Sequence, residues 1–406
     1  MFNIRRRSLL MSATALAFAP SIVRAQKRSD PGVTDKEIKL GHTNPYSGPL
    51  SAYGVLGQAE ATYWKSVNDA GGVNGRKINF ITYDDNFSPP KTVEMVRKLV
   101  ENDQVFAIFG LLGTPTNTVV QKYLNQKKVP QLFIASGASK FGNPKEYPWT
   151  MGWQPDYHTE AAIYAKHILA SNKNAKIGIL WQNDDSGKDF IGGFMAGLGK
   201  ENEKKVVASV SYEVTDPTVD SQIIQLKSAG ADVVFIEAAP KAAAQAIRKI
   251  ADLGWTPVRY LPNISASIAG VLKPAGLDIS KGIITAQYLK DATDPQWAND
   301  ADLKEWKAWM GKYIPAGNLA ESLNVAGYAV AATMHECLKR CGDDLTRANL
   351  MKQAASMKNL VVPLLLPGIK INTSPTDYYP IQSVQLARFS GETWQLFGDV
   401  LSNESS

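Results

Sequence analysis

Residues 105–139 read VFAIFGLLGTPTNTVVQKYLNQKKVPQLFIASGAS and indicate the architecture of the whole chain. The apolar runs at 105–109 and 130–134 each end at small residues, and both predict buried strands. The segment 115–125 between them predicts a helix that begins at a proline. Strands that alternate with helices in this way are typical of a parallel sheet covered by helices on both faces.

The same alternation extends towards the N-terminus and is then repeated further along the chain. Strands at 36–42 and 77–83 and helices at 53–70 and 89–100 continue it on the N-terminal side. A second series of four helices and four strands runs over 157–261. Two such series predict an α/β fold of two doubly wound, Rossmann-like lobes.

After residue 283 the pattern changes to long helices, followed by a hairpin at 382–397. This part contains too few strands for a third sheet. We expect it to complete the two lobes, so that the chain crosses between them more than once. The predicted division assigns residues 34–156 and 286–376 to lobe one, and residues 157–285 and 377–400 to lobe two.

Composition is that of a soluble globular protein. Of the 406 residues, 44% are hydrophobic and 20% are charged, which excludes a disordered chain and a low-complexity fibre. The formal net charge is +6, but Arg5, Arg6, Arg7 and Arg24 lie in the first 25 residues, which contain no acid. The rest of the chain is therefore close to neutral, and its net charge does not indicate nucleic-acid binding, which needs a clustered basic surface.

The first 25 residues predict a secretory signal peptide. The arginines at 5–7 precede an apolar segment at 9–22, and Val23-Arg24-Ala25 places small residues at positions −3 and −1 of a cleavage site. The apolar part is shorter than the ~20 residues that span a bilayer. The consecutive arginines leave a general and a twin-arginine export route open. No Cys follows the apolar segment, so we expect a soluble protein without a lipid anchor in the periplasm.

Motifs of known enzymes and metal sites are absent from the sequence. It contains no G-x-x-x-x-G-K-[ST], no H-E-x-x-H, no G-x-S-x-G and no C-x-x-C. Cys337 and Cys341 lie four residues apart in a predicted helix, which leaves both a disulfide and free thiols open. We predict that the protein is not an enzyme and holds no cofactor or metal. Asp184, Asp185 and Glu237 keep an unfamiliar exported enzyme open as an alternative.

Two successive strands end in turns that suit an anion. The turn from Gly110 to Thr116 opens a helix, and the turn from Ala135 to Ser139 follows the next strand. Both present backbone N–H groups and a hydroxyl at the carboxyl ends of parallel strands, where open α/β sheets bind ligands. They indicate a carboxylate site without Lys or Arg. Ordinary turns with capping hydroxyls are the alternative.

The chain resembles the periplasmic solute-binding proteins of ABC transporters, in the Leu/Ile/Val-binding class, over nearly all of its length after the signal peptide. The resemblance rests on NPYSGPLSAYG at 44–54, GGVNG at 71–75, YDD at 83–85 and the two strand-end turns. It implies two lobes joined by a three-strand hinge, which close on a solute in the cleft between them. It implies no catalysis, a monomer, and an ABC permease and ATPase as partners.

The resemblance also assigns roles to single residues. Thr114 and Ser139 resemble hydroxyls that bind the solute carboxylate, and Gly137 resembles a backbone contact beside them. Tyr53 matches an aromatic residue at the mouth of the cleft. Ser186 occupies a position where relatives carry an aromatic ring over the ligand.

Three segments are similar to a branch of this family that takes up aromatic acids. They are residues 151–157, 291–297 and 366–376. Trp153 and Tyr157 lie where the chain first crosses between the lobes and are placed to stack on a ring. Packing within the hinge is the alternative role for both.

One departure from the family bears on the ligand. Amino-acid binders place a Glu after a Pro to pair with the solute ammonium, whereas here Pro262 is followed by Asn263. A buried ammonium without a counter-charge costs several kcal/mol. We therefore expect a small carboxylate such as a benzoate or phenylpropanoid, with Asn263 orienting its distal polar group. A branched-chain amino acid or amide is the alternative if Glu237 or Asp185 replaces the missing acid, and a ligand-binding subunit of a separate sensor is a third possibility.

Overall fold

Two large β-sheets organise the residues that the computed structural model describes, 28–402. The predicted signal peptide, residues 1–25, lies outside the described residues. The strands are β1 (Arg28–Ser29), β2 (Glu37–Asn44), β3 (Lys77–Asp84), β4 (Ala107–Phe109), β5 (Gln131–Ile134), β6 (Thr150–Gly152), β7 (Ile177–Gln182), β8 (Val206–Tyr212), β9 (Val233–Glu237), β10 (Val258–Tyr260), β11 (Ile284–Gln287), β12 (Asp344–Leu345), β13 (Ser383–Phe389) and β14 (Trp394–Ser402). The helices are α1 (Gly54–Asp69), α2 (Pro89–Arg97), α3 (Thr114–Lys127), α4 (Tyr157–Ser171), α5 (Asp185–Leu198), α6 (Asp220–Ser228), α7 (Pro240–Asp252), α8 (Lys273–Ala275), α9 (Leu277–Ser280), α10 (Ala301–Tyr313), α11 (Ser322–Cys341) and α12 (Arg347–Ala354).

The first sheet has five parallel strands in the order β3-β2-β4-β5-β6. Its central strand β4 is fully buried because successive side chains pack on opposite faces. Ile108 belongs to the apolar cluster with Val96 of α2 and Val120 of α3, whereas Phe109 meets Trp64 of α1 edge to face. The predicted parallel sheet with helices on both faces is thus confirmed.

A bulge interrupts β5 close to its carboxyl end. The register against β6 shifts between Leu132 and Ile134, and Phe133 has a φ of 55°. Such a left-handed conformation is rare for a bulky residue and occurs here with the side chain fully buried. Because a bulge re-aims the side chains that follow it, it influences which residues of the turn 135–139 face the cleft.

The second sheet has seven strands in the order β14-β13-β11-β10-β9-β7-β8. The strands from β7 to β11 are parallel, and β13 and β14 run antiparallel at the edge. The hairpin predicted at 382–397 is confirmed as β13 and β14. Its turn is closed by the Ser390 N–H, which donates to the Thr393 carbonyl at 3.0 Å, and Gly391 takes a φ of 106° that favours glycine.

The chain passes between the two sheets three times. It leaves the first sheet after β6, leaves the second after β11, and returns to it at β13. Between the last two crossings, α11 packs against α1 beside the first sheet. A Cβ on Gly327 would come within 2.7 Å of the Ala59 Cβ, so the two helices approach as closely as they do because position 327 is glycine. The prediction of a two-lobed α/β fold is confirmed.

Candidate functional site

A cleft lies between the carboxyl ends of the two sheets. The space between its walls is about 1170 Å³, with the open solvent at its mouth included. Its apolar lining includes Leu50, Tyr53, Leu56, Phe87, Leu112, Tyr157, Tyr288, Leu289, Leu323 and Trp394. Its polar lining includes Thr114, Gln154, Gln182, Ser186, Glu237, Asn263, Gln287, Lys290 and Asp291.

Five of the eight residues predicted for the site line this cleft, and three do not. Those in the lining are Tyr53, Thr114, Tyr157, Ser186 and Asn263. Those outside it are Gly137, Ser139 and Trp153.

The first sheet contributes a pair of hydroxyls. The Oγ1 atom of Thr114 lies 2.8 Å from the Oγ atom of Ser136, and both residues are buried. Thr114 is the first residue of α3, and Gly113 before it has a φ of 100° that favours glycine. The N-terminus of a helix carries free N–H groups and a partial positive charge. This end of the cleft therefore suits a carboxylate.

Gly137 and Ser139 contact the lobe of the second sheet instead of the cleft. The Gly137 carbonyl accepts the N–H of Tyr157 at 2.7 Å. Ser139 donates its N–H and its hydroxyl to the two carboxylate oxygens of Asp189, at 2.9 and 2.6 Å. Both hydrogen bonds join the turn after β5 to helix α5, so the Ser139 hydroxyl is already paired within the protein.

The aromatic residues at the cleft come from both sides of it. The Tyr53 hydroxyl donates to the Ile264 carbonyl across the cleft, at 3.2 Å. Tyr157 stacks on Phe190 of α5, with ring centroids 4.2 Å apart and planes inclined by 19°. Tyr288, which the sequence did not single out, also lines the cleft. Aromatic side chains therefore line the cleft on both of its sides.

Trp153 packs behind the cleft. Its indole N–H donates to the Thr333 hydroxyl of α11 at 2.9 Å, and its ring meets Tyr288 edge to face at 5.8 Å. Trp153 therefore supports Tyr288 from behind.

Ser186 and Asn263 are both oriented by neighbouring carboxyls. The Ser186 hydroxyl donates to Asp184, which caps α5, at 2.7 Å. Asn263 donates its backbone N–H to Glu160 at 2.8 Å, and its side-chain amide donates to the same carboxyl. The carbonyl oxygen of the Asn263 side chain has no hydrogen bond within the described part of the chain and remains free to accept one.

Glu160 is a fully buried carboxyl behind the cleft. Burial raises its pKa to about 7, although hydrogen bonds from Tyr164 and Asn263 act in the opposite direction. The Tyr164 hydroxyl donates to it at 2.6 Å. Sequence reasoning missed this residue, because it lies on α4, 103 positions before the asparagine that it holds.

Glu237 brings a second buried carboxyl into the lining itself. It ends β9 and is 1% exposed, and one of its oxygens accepts the Gln182 N–H at 2.7 Å. Burial raises its pKa to about 8, and the charges of Asp184 and Glu160 add to that shift. Among residues 28–402, no Lys, Arg or His forms an ion pair with it. The raised pKa favours the protonated carboxyl at neutral pH.

The lysine in the lining is already paired. The Lys290 ammonium lies 2.7 Å from Asp300 and 3.6 Å from Asp302, beneath the ring of Trp297. A ligand carboxylate that approached it would compete with these two acids.

Three further observations concern the sequence predictions. Cys337 and Cys341 are free, buried thiols. Over residues 28–402, no group of three or more His, Cys, Asp or Glu side chains is arranged to hold a metal ion. In the same range, every helix is too short or too polar to cross a membrane.

Comparisons with known proteins agree on one family. Residues 37–393 match the family described as periplasmic binding protein. The relative called Leu/Ile/Val-binding protein homolog 1, from Brucella suis, is 26% identical over 343 residues, which cover 80% of this chain and 85% of the relative.

Solved structures share the fold over nearly the whole chain. A branched-chain amino acid ABC transporter protein from Thermus thermophilus with bound valine has a TM-score of 0.82 and 16% identity, covering 91% of this chain and 98% of that one. A fatty acid ABC transporter substrate-binding protein from Thermomonospora curvata has a TM-score of 0.77 and 22% identity, covering 92% and 95%. At these identities the likeness establishes the fold.

Proposed function

The chain belongs to the periplasmic binding protein family, in its Leu/Ile/Val-binding class, and we propose that its own solute is a small carboxylate with an aromatic body. Proteins of this class are the substrate-binding components of ABC importers. The proposal concerns which solute the cleft takes and how the cleft holds it.

The observation that supports this solute is the hydroxyl of Thr114, a residue that lines the cleft together with aromatic side chains, with the Ser136 hydroxyl 2.8 Å from it. Thr114 and Ser136 would hold the carboxylate at the start of α3, where the helix dipole favours a negative charge. Tyr53 and Tyr157 would cover the apolar body from the two sides of the cleft. Closure of the lobes would then bury most of the ligand and favour the closed state, which a permease can recognise.

A branched-chain amino acid or amide is the second candidate. The names of the relatives favour it, and so does Glu237, an acid inside the cleft whose second carboxyl oxygen is unpaired in the described structure. Ionising a carboxyl whose pKa is about 8 costs only ~1.4 kcal/mol at pH 7, which a ligand ammonium would offset. Glu237 is thus positioned to supply the counter-charge that is missing at Asn263.

The remaining features of the proposal come from the sequence. We propose that the protein works in the periplasm as a monomer, after removal of residues 1–25, with an ABC permease and ATPase as partners. Residues 34–156 and 286–376 would form one lobe, and residues 157–285 and 377–400 the other. The packing of α11 on α1 and the pairing of β13 with β11 support this division.

A ligand panel tests the solute class. The chain from Gln26 onward would be screened by thermal shift with leucine, isoleucine, valine, short amides, benzoates and cinnamates. A micromolar ligand at ~1 mM stabilises the folded state by about 4 kcal/mol, which shifts the melting temperature measurably. Stabilisation by the aromatic acids alone supports the first candidate. Stabilisation by valine or leucine alone replaces it with the second.

Two controls make the screen specific. Thr118→Ala removes a hydroxyl that lies one turn further along α3 and donates to the Thr114 carbonyl. Because that hydroxyl is bonded within the helix, its loss should leave ligand binding unchanged. Proton NMR of each hit after prolonged incubation checks for conversion. An unchanged ligand agrees with a transport protein, whereas a product would favour the enzyme alternative.

A further inference from the structure

We infer that Glu237 acts as an uncharged carboxylic acid that donates its O–H to a hydroxyl oxygen of the ligand, while the Asn263 side-chain carbonyl accepts the hydrogen of that hydroxyl. This inference rests on the proposed function and refines it: the solute would be a hydroxylated carboxylate. Its carboxylate would lie at the first sheet and its hydroxyl at the second.

The position of Glu237 allows its carboxyl to contact a ligand in the cleft. Its carboxyl lies in the cleft wall at the carboxyl end of β9 and is almost fully buried. One oxygen is used by the Gln182 N–H, and the other has no hydrogen bond with the described residues. A ligand atom can pair with this free oxygen, and the hydrogen bond gains strength where closure of the lobes excludes water.

The groups around Glu237 keep it protonated. Asp184 lies on the α5 side and Glu160 on the α4 side, and both raise its pKa. Tyr53, Tyr157 and Tyr212 lie close enough to interact electrostatically with it, and burial raises the pKa of each of these hydroxyls above its usual value.

The cations near the cleft do not reverse this effect. Lys290 lines the cleft but is held by Asp300 and Asp302. Lys140 pairs with Asp185 at 2.9 Å. Glu237 is therefore a hydrogen-bond donor at neutral pH.

Asn263 supplies the complementary acceptor. Its side-chain N–H₂ group is engaged by Glu160, which leaves its carbonyl oxygen for the cleft. One donor and one acceptor in the same wall match a hydroxyl, which accepts one hydrogen bond and donates another. An ammonium has no lone pair to accept a hydrogen bond from Glu237. An unsubstituted ring edge forms a hydrogen bond with neither Glu237 nor Asn263.

The test combines a ligand pair with a pH series. Isothermal titration calorimetry would compare ring-hydroxylated benzoates and cinnamates with benzoate and cinnamate between pH 6 and pH 9. We expect at least ten-fold tighter binding of the hydroxylated member, because the other leaves Glu237 and Asn263 unpaired once closure of the lobes excludes water. Above about pH 8, Glu237 loses its proton, so the affinity should fall by up to ten-fold per pH unit.

Glu237→Gln is the decisive variant. Glutamine keeps an acceptor for the Gln182 N–H and an N–H donor towards the ligand, but it does not ionise. We expect its affinity at pH 7 to stay within about three-fold of the original protein and its pH dependence near pH 8 to disappear. A smaller change in ligand affinity near pH 7, caused by the titration of Glu160, should persist in this variant.

Glu60→Gln is the matched control. Glu60 lies on α1, is fully buried and has a raised pKa because of burial, but it does not line the cleft. Its replacement should leave the ligand's pH profile as it is. Circular dichroism and melting temperature would check that each variant is folded.

Each other result contradicts the assignment in a recognisable way. Equal binding of both ligand members, or an affinity that is flat to pH 9, overturns the role of Glu237 while the carboxylate solute stands. An amino acid whose affinity rises with pH and is lost in Glu237→Gln shows an ionised Glu237 paired with an ammonium. If no carboxylate binds at any pH, both the solute class and this inference fail.

Discussion

The hydroxyl oxygens of Thr114 and Ser136 lie 2.8 Å apart, at the carboxyl ends of two neighbouring parallel strands. The bridge between Leu112 and Ala135 holds the two strand ends together just before them. The pair is buried, and Thr114 lies in the wall of the cleft. This hydrogen bond uses one of the two hydroxyl hydrogens, so both can donate to the same anion only when the bond between them gives way to the ligand.

The double variant Thr114→Ala, Ser136→Ala should lose most of its affinity for a carboxylate. A hydrogen bond to a charged group contributes roughly 1.5–3 kcal/mol, so we expect about 100-fold weaker binding or more. Calorimetric titration with the best ligand of the panel measures the loss. Affinity within three-fold of the original would exclude this carboxylate site.

Ser139→Ala is the informative comparison for that variant. The Ser139 hydroxyl is bonded to Asp189 at 2.6 Å, in a contact between the turn after β5 and helix α5. We expect a small change in affinity, because the substitution weakens a contact between the lobes without removing a ligand contact. A loss as large as that of the double variant would return Ser139 to the ligand site.

Trp153→Phe should lower stability and leave ligand affinity nearly unchanged. The indole N–H donates to Thr333 behind the cleft, so the smaller ring loses this hydrogen bond and leaves a cavity. We expect a loss of about 1–3 kcal/mol in the free energy of unfolding, measured with urea. The opposite pattern, normal stability with weak binding, would mean that Trp153 touches the ligand.

Stability of the ligand-free protein should fall as the pH rises from 6.5 to 8. Glu160 and Glu237 have pKa values of about 7 and about 8 when folded, above the ordinary value of 4.5, so the folded state holds more protons in this range. Each group contributes at most ~1.4 kcal/mol per pH unit, up to its own pKa. His42, whose pKa is lowered to about 4 by burial, acts in the opposite direction only below pH 6.5.

Urea unfolding at several pH values measures this effect. Glu237→Gln should make the decrease between pH 7 and pH 8 shallower, because glutamine does not titrate, whereas the contribution of Glu60, whose pKa burial also raises, should persist. A free energy of unfolding that stays level or rises over this range in the original protein would contradict the raised pKa values.

The two cysteines should behave as unreactive free thiols. Cys337 and Cys341 are buried, and burial raises the pKa of Cys341 to about 12 and that of Cys337 further. A thiol-alkylating reagent should label neither residue in the folded protein and both after unfolding, as read by mass spectrometry. Labelling that requires a reductant even after unfolding would reveal a disulfide instead.

Much of the fold was predictable because its signals are local. Apolar runs such as Val105 to Phe109 specify buried strands, and the helices between them follow from spacing and from breakers such as Gly71 and Gly72. The terminal hairpin was also visible, from Ser390 and Gly391 between two apolar runs. Helix ends were less predictable: α3 runs from Thr114 to Lys127, whereas the predicted helix covers 115–125.

The site was predictable only in part, because its residues come together through long-range packing. The sequence motifs predict Tyr53 and Thr114 in the cleft, and both residues line it. Both motifs lie within residues 37–393, which match the family. The choice between Ser136 and Ser139 depends on how the chain leaves β5, where Phe133 forms a bulge. A sequence shows both serines in one turn and does not show which of them faces Thr114.

The family, the two-lobed α/β fold and the strand ends that face the cleft follow from patterns within short segments, and the sequence alone determined these features. The chemistry of the cleft depends on pairs that are far apart in the chain: Glu160 holds Asn263, and Asp189 occupies Ser139. Burial also turns Glu237 from an ordinary acid into a group that is protonated at neutral pH. Hydrogen bonding and desolvation of this kind arise only when distant segments pack together, so only the tertiary structure decided them.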